Sequence, residues 1–499
     1  MHVDLAGNRV YVTFCAGAAS QGVIRFTPLT SRYVAVVSMF AIHDFNLHRG
    51  ASFPNSQRKE QKSTQTKTKR LEMAPPTTAA PPGAASPSAK ASKSALVVAS
   101  AFGDTSRVLE LLQEGTEVVP GVKGENIESL EVVEPTACEQ AADNAHLDVL
   151  KLLLPAAKRE LAERPVAEEV SAAFWRKVLN SAVRSGSENI VKLVLDTSKL
   201  QLGPSGDDVG SMTGWSYEDL PLFEAVKRDH LNIVKLLLDH GASLHERNLV
   251  GHTLLHAAAE HNAHHAFDSI LVDSLKDEVD QQGNTALHYA VEFGHTDLTE
   301  RLIAAGANVN AGNTRLVTPL HLAVHKGRAD LAKLLLVEGK ANANKKDYNG
   351  NTPLHDVILL DEASLAEEVP GEAPAKDEQS ERLHVELAEL LLSHGADPNL
   401  ENDTTGFFPL HQALRDGYER TARVLLAHGA NARETSKFGV TPLHVAAAFE
   451  VSPDLWKELL KHGADPSATN DDGKTPLELA PNGVIRAQIA LLITAYQEA

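Results

Sequence analysis

The sequence predicts an all-α solenoid of stacked helix pairs, and three observations carry that prediction. Thr-Pro-Leu-His stands at Thr318 to His321, Thr352 to His355 and Thr441 to His444, with near copies beginning at Thr253, Thr285 and Thr475. A second constant block follows each copy, as in Leu236-Leu237-Leu238-Asp239-His240-Gly241-Ala242 and Val424-Leu425-Leu426-Ala427-His428-Gly429-Ala430. The two recur together at a period close to 33 residues, and self-similarity at such a period marks a stack of supersecondary units. Each unit reads helix, turn, helix, loop.

Within a unit, Thr opens the first helix as N-cap, and the Pro after it has no N–H to lose and a φ already suited to a helix. Small residues such as Ala257-Ala258-Ala259 and Ala446-Ala447-Ala448 then allow a neighbouring unit to approach closely. Gly294, Gly327 and Gly417 supply the left-handed residue that ends this helix, and Asn262 stands in the same register as the next best choice. The second helix carries its apolar stripe as Ile233, Leu236, Leu237 or Leu331, Leu334, Leu335, at helical spacing. It closes on the Gly of His-Gly-Ala.

At this point the chain resembles the ankyrin-repeat family, whose unit is two antiparallel helices followed by a protruding β-hairpin-like finger. Registered on the Thr position, units begin at Ser94, Thr136, Lys177, Leu220, Thr253, Thr285, Thr318, Thr352, Phe408, Thr441 and Thr475. The intervals are 42, 41 and 43 for the first three, which makes residues 94–219 degenerate repeats, and regular repeats fill 220–499. One later interval of 56 exceeds its neighbours by an insert at 361–381, with eight acidic residues against Lys376 alone and Pro370, Gly371 and Pro374 inside it. Its composition predicts a disordered acidic loop between the helices of one unit. The core pattern resumes in register at Val385, Leu387 and Leu390 to Leu392. The last unit ends near Tyr496 with polar Gln488, Thr494 and Gln497 on its expected outer face, as a terminal cap requires.

Residues 73–93 are rich in Pro, Ala and Ser and read as a disordered linker. Residues 1–72 form an unassigned basic segment without repeat periodicity, and Met73 is the expected start of translation in the cell. Arg9, Arg25, Arg32 and Arg49, with little acid before Asp44, resemble a mitochondrial presequence, but Asp4 and the lack of a clean amphipathic stripe weaken that reading. The run from Arg58 to Arg70 resembles an import patch and reads as solvated linker.

Charge divides unevenly. Residues 1–93 hold 12 Lys or Arg against 4 Asp or Glu, net +8, leaving 35 against 62, net −27, for the repeats. An acidic stack disfavours nucleic acid and anionic lipid and favours a basic protein partner. Two cysteines, Cys15 and Cys138, permit no disulfide framework or thiolate metal site, consistent with a cytoplasmic or nuclear location. No run of 18 apolar residues occurs, so no membrane span is expected.

No phosphate-cradling loop, nucleophile elbow or His-Glu-x-x-His appears, so neither catalytic residues nor a cofactor are expected. The motif histidines His256, His288, His321, His355, His411 and His444 come once per unit, which predicts a structural bridge between units. His261, His264 and His265 with Glu260 could share an ion on one helix face. A turn is expected to break that face, and no metal site is assigned.

The resemblance implies that a protein partner binds a monomeric scaffold or adaptor at the ends of the first helices and at the finger tips. On the helix ridge these are Glu260, His261, Glu292, Phe293, Arg415 and Phe449; at the tips they are Leu249, Val250, Arg315, Leu316, Tyr348, Phe407 and Phe438. The large apolar members are expected to be exposed anchors, since aromatic anchors dominate interface energies. The alternative is a regulatory or inhibitory subunit whose acidic surface masks a basic site on an enzyme or nucleic-acid-binding protein.

Overall fold

The computed structural model describes residues 2–6, 9–16, 20–25, 89–119, 135–163, 168–200, 202, 220–360 and 376–498. The chain divides into two units, Met1–Ala84 and Ala85–Ala499.

In the first unit three strands, β1 (His2–Ala6), β2 (Arg9–Ala16) and β3 (Ser20–Arg25), form an antiparallel sheet in the order β1-β2-β3. Val3 pairs with Val12, and Val12 with Ile24. Repeat periodicity gives no clear element order in residues 1–72. The missed signal is the β-branched and aromatic run Val10-Tyr11-Val12-Thr13-Phe14, which suits a strand. The expected Met73 start and most of the 73–93 linker lie outside the described residues.

The second unit contains eleven helix pairs among its described residues. They are α1 (Ala89–Phe102) with α2 (Thr105–Gln113), α3 (Ala137–Asp143) with α4 (Leu147–Glu163), and α5 (Glu168–Arg184) with α6 (Glu188–Ser198). Next come α7 (Pro221–Lys227) and α8 (Leu231–Asp239), α9 (Leu254–His261) and α10 (His264–Ile270), α11 (Ala286–Phe293) and α12 (Thr296–Ala304), then α13 (Pro319–His325) and α14 (Ala329–Val337). The series closes with α15 (Pro353–Asp356) and α16 (Lys376–Ser393), α17 (Pro409–Arg415) and α18 (Glu419–Ala427), α19 (Pro442–Ala448) and α20 (Pro453–Lys461), and α21 (Pro476–Leu479) and α22 (Gly483–Glu498). First helices pack on first helices and second helices on second helices, so the unit is a two-layered stack.

Two boundaries differ from expectation. Helix α1 begins at Ala89, ahead of Ser94, because Ala-Lys-Ala is a good helix former. Helix α16 begins at Lys376, so the end of the acidic insert is helical, while residues 361–375 lie outside the described residues.

One apolar core runs from Leu96 to Ile489, with Ile233, Leu237, Leu331 and Leu335 buried within it. Leu236 and Leu334 flank it, half-buried. The motif histidines tie one unit to the next. Thr318 N–H donates to His321 Nδ1 at 3.2 Å, which leaves Nε2 to carry the proton and donate to the Asn351 carbonyl at 3.2 Å. The same bridge joins His256 to Asn284, His288 to Val317, His355 to Phe407, His411 to Val440 and His444 to Lys474.

Left-handed residues end the first helices at Gly294, Gly327, Gly417 and Asn262, as the sequence predicts. Ala145, Asp229 and Glu450 adopt φ of +58° in the same role without being Gly or Asn. On the terminal α22, Gln488, Thr494 and Gln497 are exposed, but so are Val484, Leu491 and Tyr496. That face is therefore less polar than a sealed cap.

Candidate partner-binding ridge

Each described finger is a turn closed by an Asn, Asp or Ser residue. Asp280 is representative: its N–H donates to the Asn284 carbonyl, and its Oδ1 accepts from the N–H groups of Gln282 and Asn284, both at 2.8 Å. Asn248, Asn313, Asp347, Asn402, Ser436 and Asn470 close the other fingers by the same backbone bond. Side-chain acceptors of this kind pre-form a turn before any contact outside it.

Successive fingers also pair through the main chain. The Val250 carbonyl accepts from Gln281 N–H at 3.2 Å, Arg315 from Tyr348 at 2.8 Å, and Phe438 from Asp471 at 3.2 Å. The backbones of four expected site residues, Val250, Arg315, Tyr348 and Phe438, are thus held while their side chains are exposed or half-buried. Leu249, Arg315, Leu316, Tyr348 and Phe438 are exposed and Val250 is half-buried. Tyr348, at 78 %, is more open than Leu249, Leu316 and Phe438. Leu316 takes φ +58°, at the place in its finger where most others have Gly.

The helix ends form a second row. Phe293 and Phe449 are exposed, and Glu260, His261, Glu292 and Arg415 are half-buried. Phe293 stacks on Tyr289 at 6.4 Å and on His295 at 6.2 Å, which fixes its ring while it stays 45 % exposed. Beside it, Tyr289 donates to Asp280 Oδ2 at 2.8 Å and accepts from His252 Nε2 at 2.9 Å. This chain locks the ridge to the finger. Burial raises the Glu292 carboxyl above the usual range, with Lys326 opposing and Glu260 reinforcing. Burial lowers the His261 imidazole, and Lys227 adds to that. Arg415 pairs in two-pronged fashion with Asp416 at 2.8 and 2.9 Å.

Phe407 departs from expectation. It is 5 % exposed and stacks on His411 at 5.4 Å. It follows Gly406, in register with His252, Asn284 and Asn351, which follow their own finger glycines and are also buried. Its place is the finger base rather than the tip.

One residue was missed. Phe102, 81 % exposed, ends α1 immediately before the left-handed Gly103, the position that Phe293 holds before Gly294. The signal was present in the Phe-Gly pair, eight positions after the Ser94 register as Phe293 is after Thr285. The sequence grouping of His261 with His264 and His265 is divided by Asn262 at φ +58°, which separates α9 from α10. Among the described residues no helix is long and apolar enough to cross a membrane.

Paired helices stacked in two layers, with turn fingers and histidine bridges at six junctions, define a repeat stack. The three-copy ankyrin repeats family matches residues 138–248, 222–313, 379–470 and 410–494, and the many-copy form matches 302–356. The chain belongs to the ankyrin-repeat family, a family of protein-interaction modules. It is similar to the nuclear factor NF-kappa-B p105 subunit of Mus musculus, 33 % identical over 266 residues, covering 52 % of this chain and 24 % of that protein. It is similar also to the E3 ubiquitin-protein ligase KEG of Arabidopsis thaliana, 26 % identical over 285 residues, covering 56 % and 16 %. Inversin of Homo sapiens is 33 % identical over 223 residues, covering 39 % and 20 %. The chain spans no more than about a quarter of the length of these relatives. The solved ankyrin repeat domain of Bcl-3 aligns at 24 % identity and a TM-score of 0.37, covering 55 % of this chain and 98 % of that one.

Proposed function

We propose that residues 94–499 form a monomeric, non-enzymatic scaffold or adaptor, cytoplasmic or nuclear, that binds a protein partner along the helix ridge and finger tips. In this reading 94–219 are degenerate repeats, 220–499 are regular ones, and the acidic insert is a tolerated addition. The observation that carries it is the row of exposed aromatics Phe293, Tyr348, Phe438 and Phe449 on otherwise buried or bonded elements. Rings on a pre-formed stack lose little freedom on binding, so more of their contact energy appears as affinity.

A parallel pull-down tests this, comparing residues 73–499 with the same chain carrying Phe293→Ala, Tyr348→Ala, Phe438→Ala and Phe449→Ala, both shown to fold alike. A partner captured by the first and lost by the second supports the ridge. Capture of the same proteins by both would reject it.

The net charge of −27 on the repeats favours a second reading, an inhibitory subunit that masks a basic site. Binding carried by surface charge falls steeply with salt. A partner whose affinity drops more than about tenfold between low and high salt supports masking, and one indifferent to salt supports aromatic anchoring.

A further inference from the structure

Asp229, His264 and His265 meet across the boundary between two units. Asp229 follows α7 in the left-handed conformation, φ +58°, where later units have Gly294, Gly327 and Gly417. His264 and His265 open α10 of the next unit. Asp229 Oδ1 accepts from Ala266 N–H at 2.8 Å and His265 N–H at 2.9 Å, and Oδ2 accepts from His265 Nδ1 at 2.5 Å. The two imidazoles lie 4.2 Å apart between ring centres and both are exposed. One donor atom from each of the three residues lies within 4.8 Å of the others.

We propose that these three residues bind a divalent transition-metal ion of the zinc class. Two imidazoles and a carboxylate are an N,N,O donor set suited to such an ion. Donors at about 2.0–2.1 Å from a tetrahedral ion stand about 3.4 Å apart. Both histidines are exposed, so closing from within 4.8 Å to that spacing calls for side-chain rotation into solvent-accessible space. Asp229 is held in place by the N–H groups of α10. Burial raises its carboxyl, but the bonds from Ala266 and His265 outweigh this and keep it below the usual carboxylate range. The nearby Arg301 guanidinium is engaged by the His264 carbonyl, Asp268 and Asp297, so its charge is already countered. Solvent supplies the remaining coordination position. The ion would link the unit beginning at Leu220 to the one beginning at Thr253, and this holds whether or not the ridge binds a protein.

The purely structural alternative has Asp229 only capping α10, with His265 as its partner. The two are separated by titrating untagged full-length protein with ZnCl2, following heat and stoichiometry by calorimetry and Tm by scanning fluorimetry. The variants are His264→Ala with His265→Ala, and Asp229→Gly, which restores the residue this position holds in other units and so keeps the backbone. We expect one equivalent of zinc to be lost in each variant. We also expect a zinc-dependent rise in Tm of a few degrees, as for ligand linkage in a large domain, in the parent only, reversed by chelation. Equal zinc stoichiometry and equal zinc-dependent Tm in parent and variants would overturn the proposal, as would a parent that binds no zinc at 100-micromolar levels, on the order of what a weak surface site requires.

Discussion

His355 Nε2 lies 3.2 Å from the carbonyl oxygen of Phe407, 52 residues further along the chain. The equivalent bridge from His321 to Asn351 spans 30 residues. The insert is therefore accommodated inside one unit without shifting the next, and Asn402 Nδ2 still donates to Asn351 Oδ1 at 2.5 Å. Replacing residues 361–375 with a short Gly-Ser linker should leave the stack intact. Loop-closure entropy changes slowly with length, so the stability change should stay below about 1 kcal/mol. A urea midpoint that collapses would mean that the insert itself supports the fold.

Removing a bridge should be costly. His355→Ala leaves the buried Thr352 N–H without its acceptor and takes one donor from the Phe407 carbonyl. An unsatisfied buried donor with a cavity beside it costs about 2–4 kcal/mol. Equilibrium urea unfolding measures this, and a loss under about 0.5 kcal/mol, the range of ordinary surface substitutions, would contradict the bridge.

Acid should weaken the same junctions. Burial pushes His256, His288, His321, His355 and His411 down to about 4, with the bond to the next unit's carbonyl opposing. The unfolded chain binds protons at these sites from about pH 6.5, the folded chain only near 4. Their contribution is complete above about pH 6.5 and lost as pH falls toward 4, about 2 kcal/mol for each His by pH 5. Glu246, raised to about 7 by burial, works in the opposite sense, since it favours the fold as pH falls below 7. Burial raises Glu292, Asp347 and Asp356 in the same sense as Glu246, but it also lowers His252, His261 and His444 like the other five, so the lowered histidines outnumber the raised carboxyls. Urea midpoints should fall between pH 7.5 and pH 5, and His288→Gln should flatten that dependence; a midpoint flat in the parent would refute the assignment.

Repetition made the stack legible, because one residue type at one position announces one job: Thr-Pro for the helix start, His for the bridge, Gly for the left-handed stop. What repetition could not supply is contact that depends on a unit's own departures from the pattern. Phe407 looked like a tip residue, yet its finger, Asn402 to Gly406, carries the tip earlier, and the ring falls onto His411. Asp229 gives no local sign that it caps α10, whose backbone lies 36 residues on. Phe102 could have been found by register with Phe293, but the long first interval obscured the alignment of that unit.

The ridge itself is tested most directly by hydroxyl-radical footprinting of the scaffold with and without its captured partner. Tyr496, exposed on α22, the second helix of the last pair, is the internal reference. A binding ridge predicts that oxidation of Phe293, Tyr348, Phe438 and Phe449 slows several-fold in the complex while Tyr496 is unchanged. Unchanged oxidation at all four, with a partner demonstrably bound, would place the interface elsewhere on the stack and contradict the central claim.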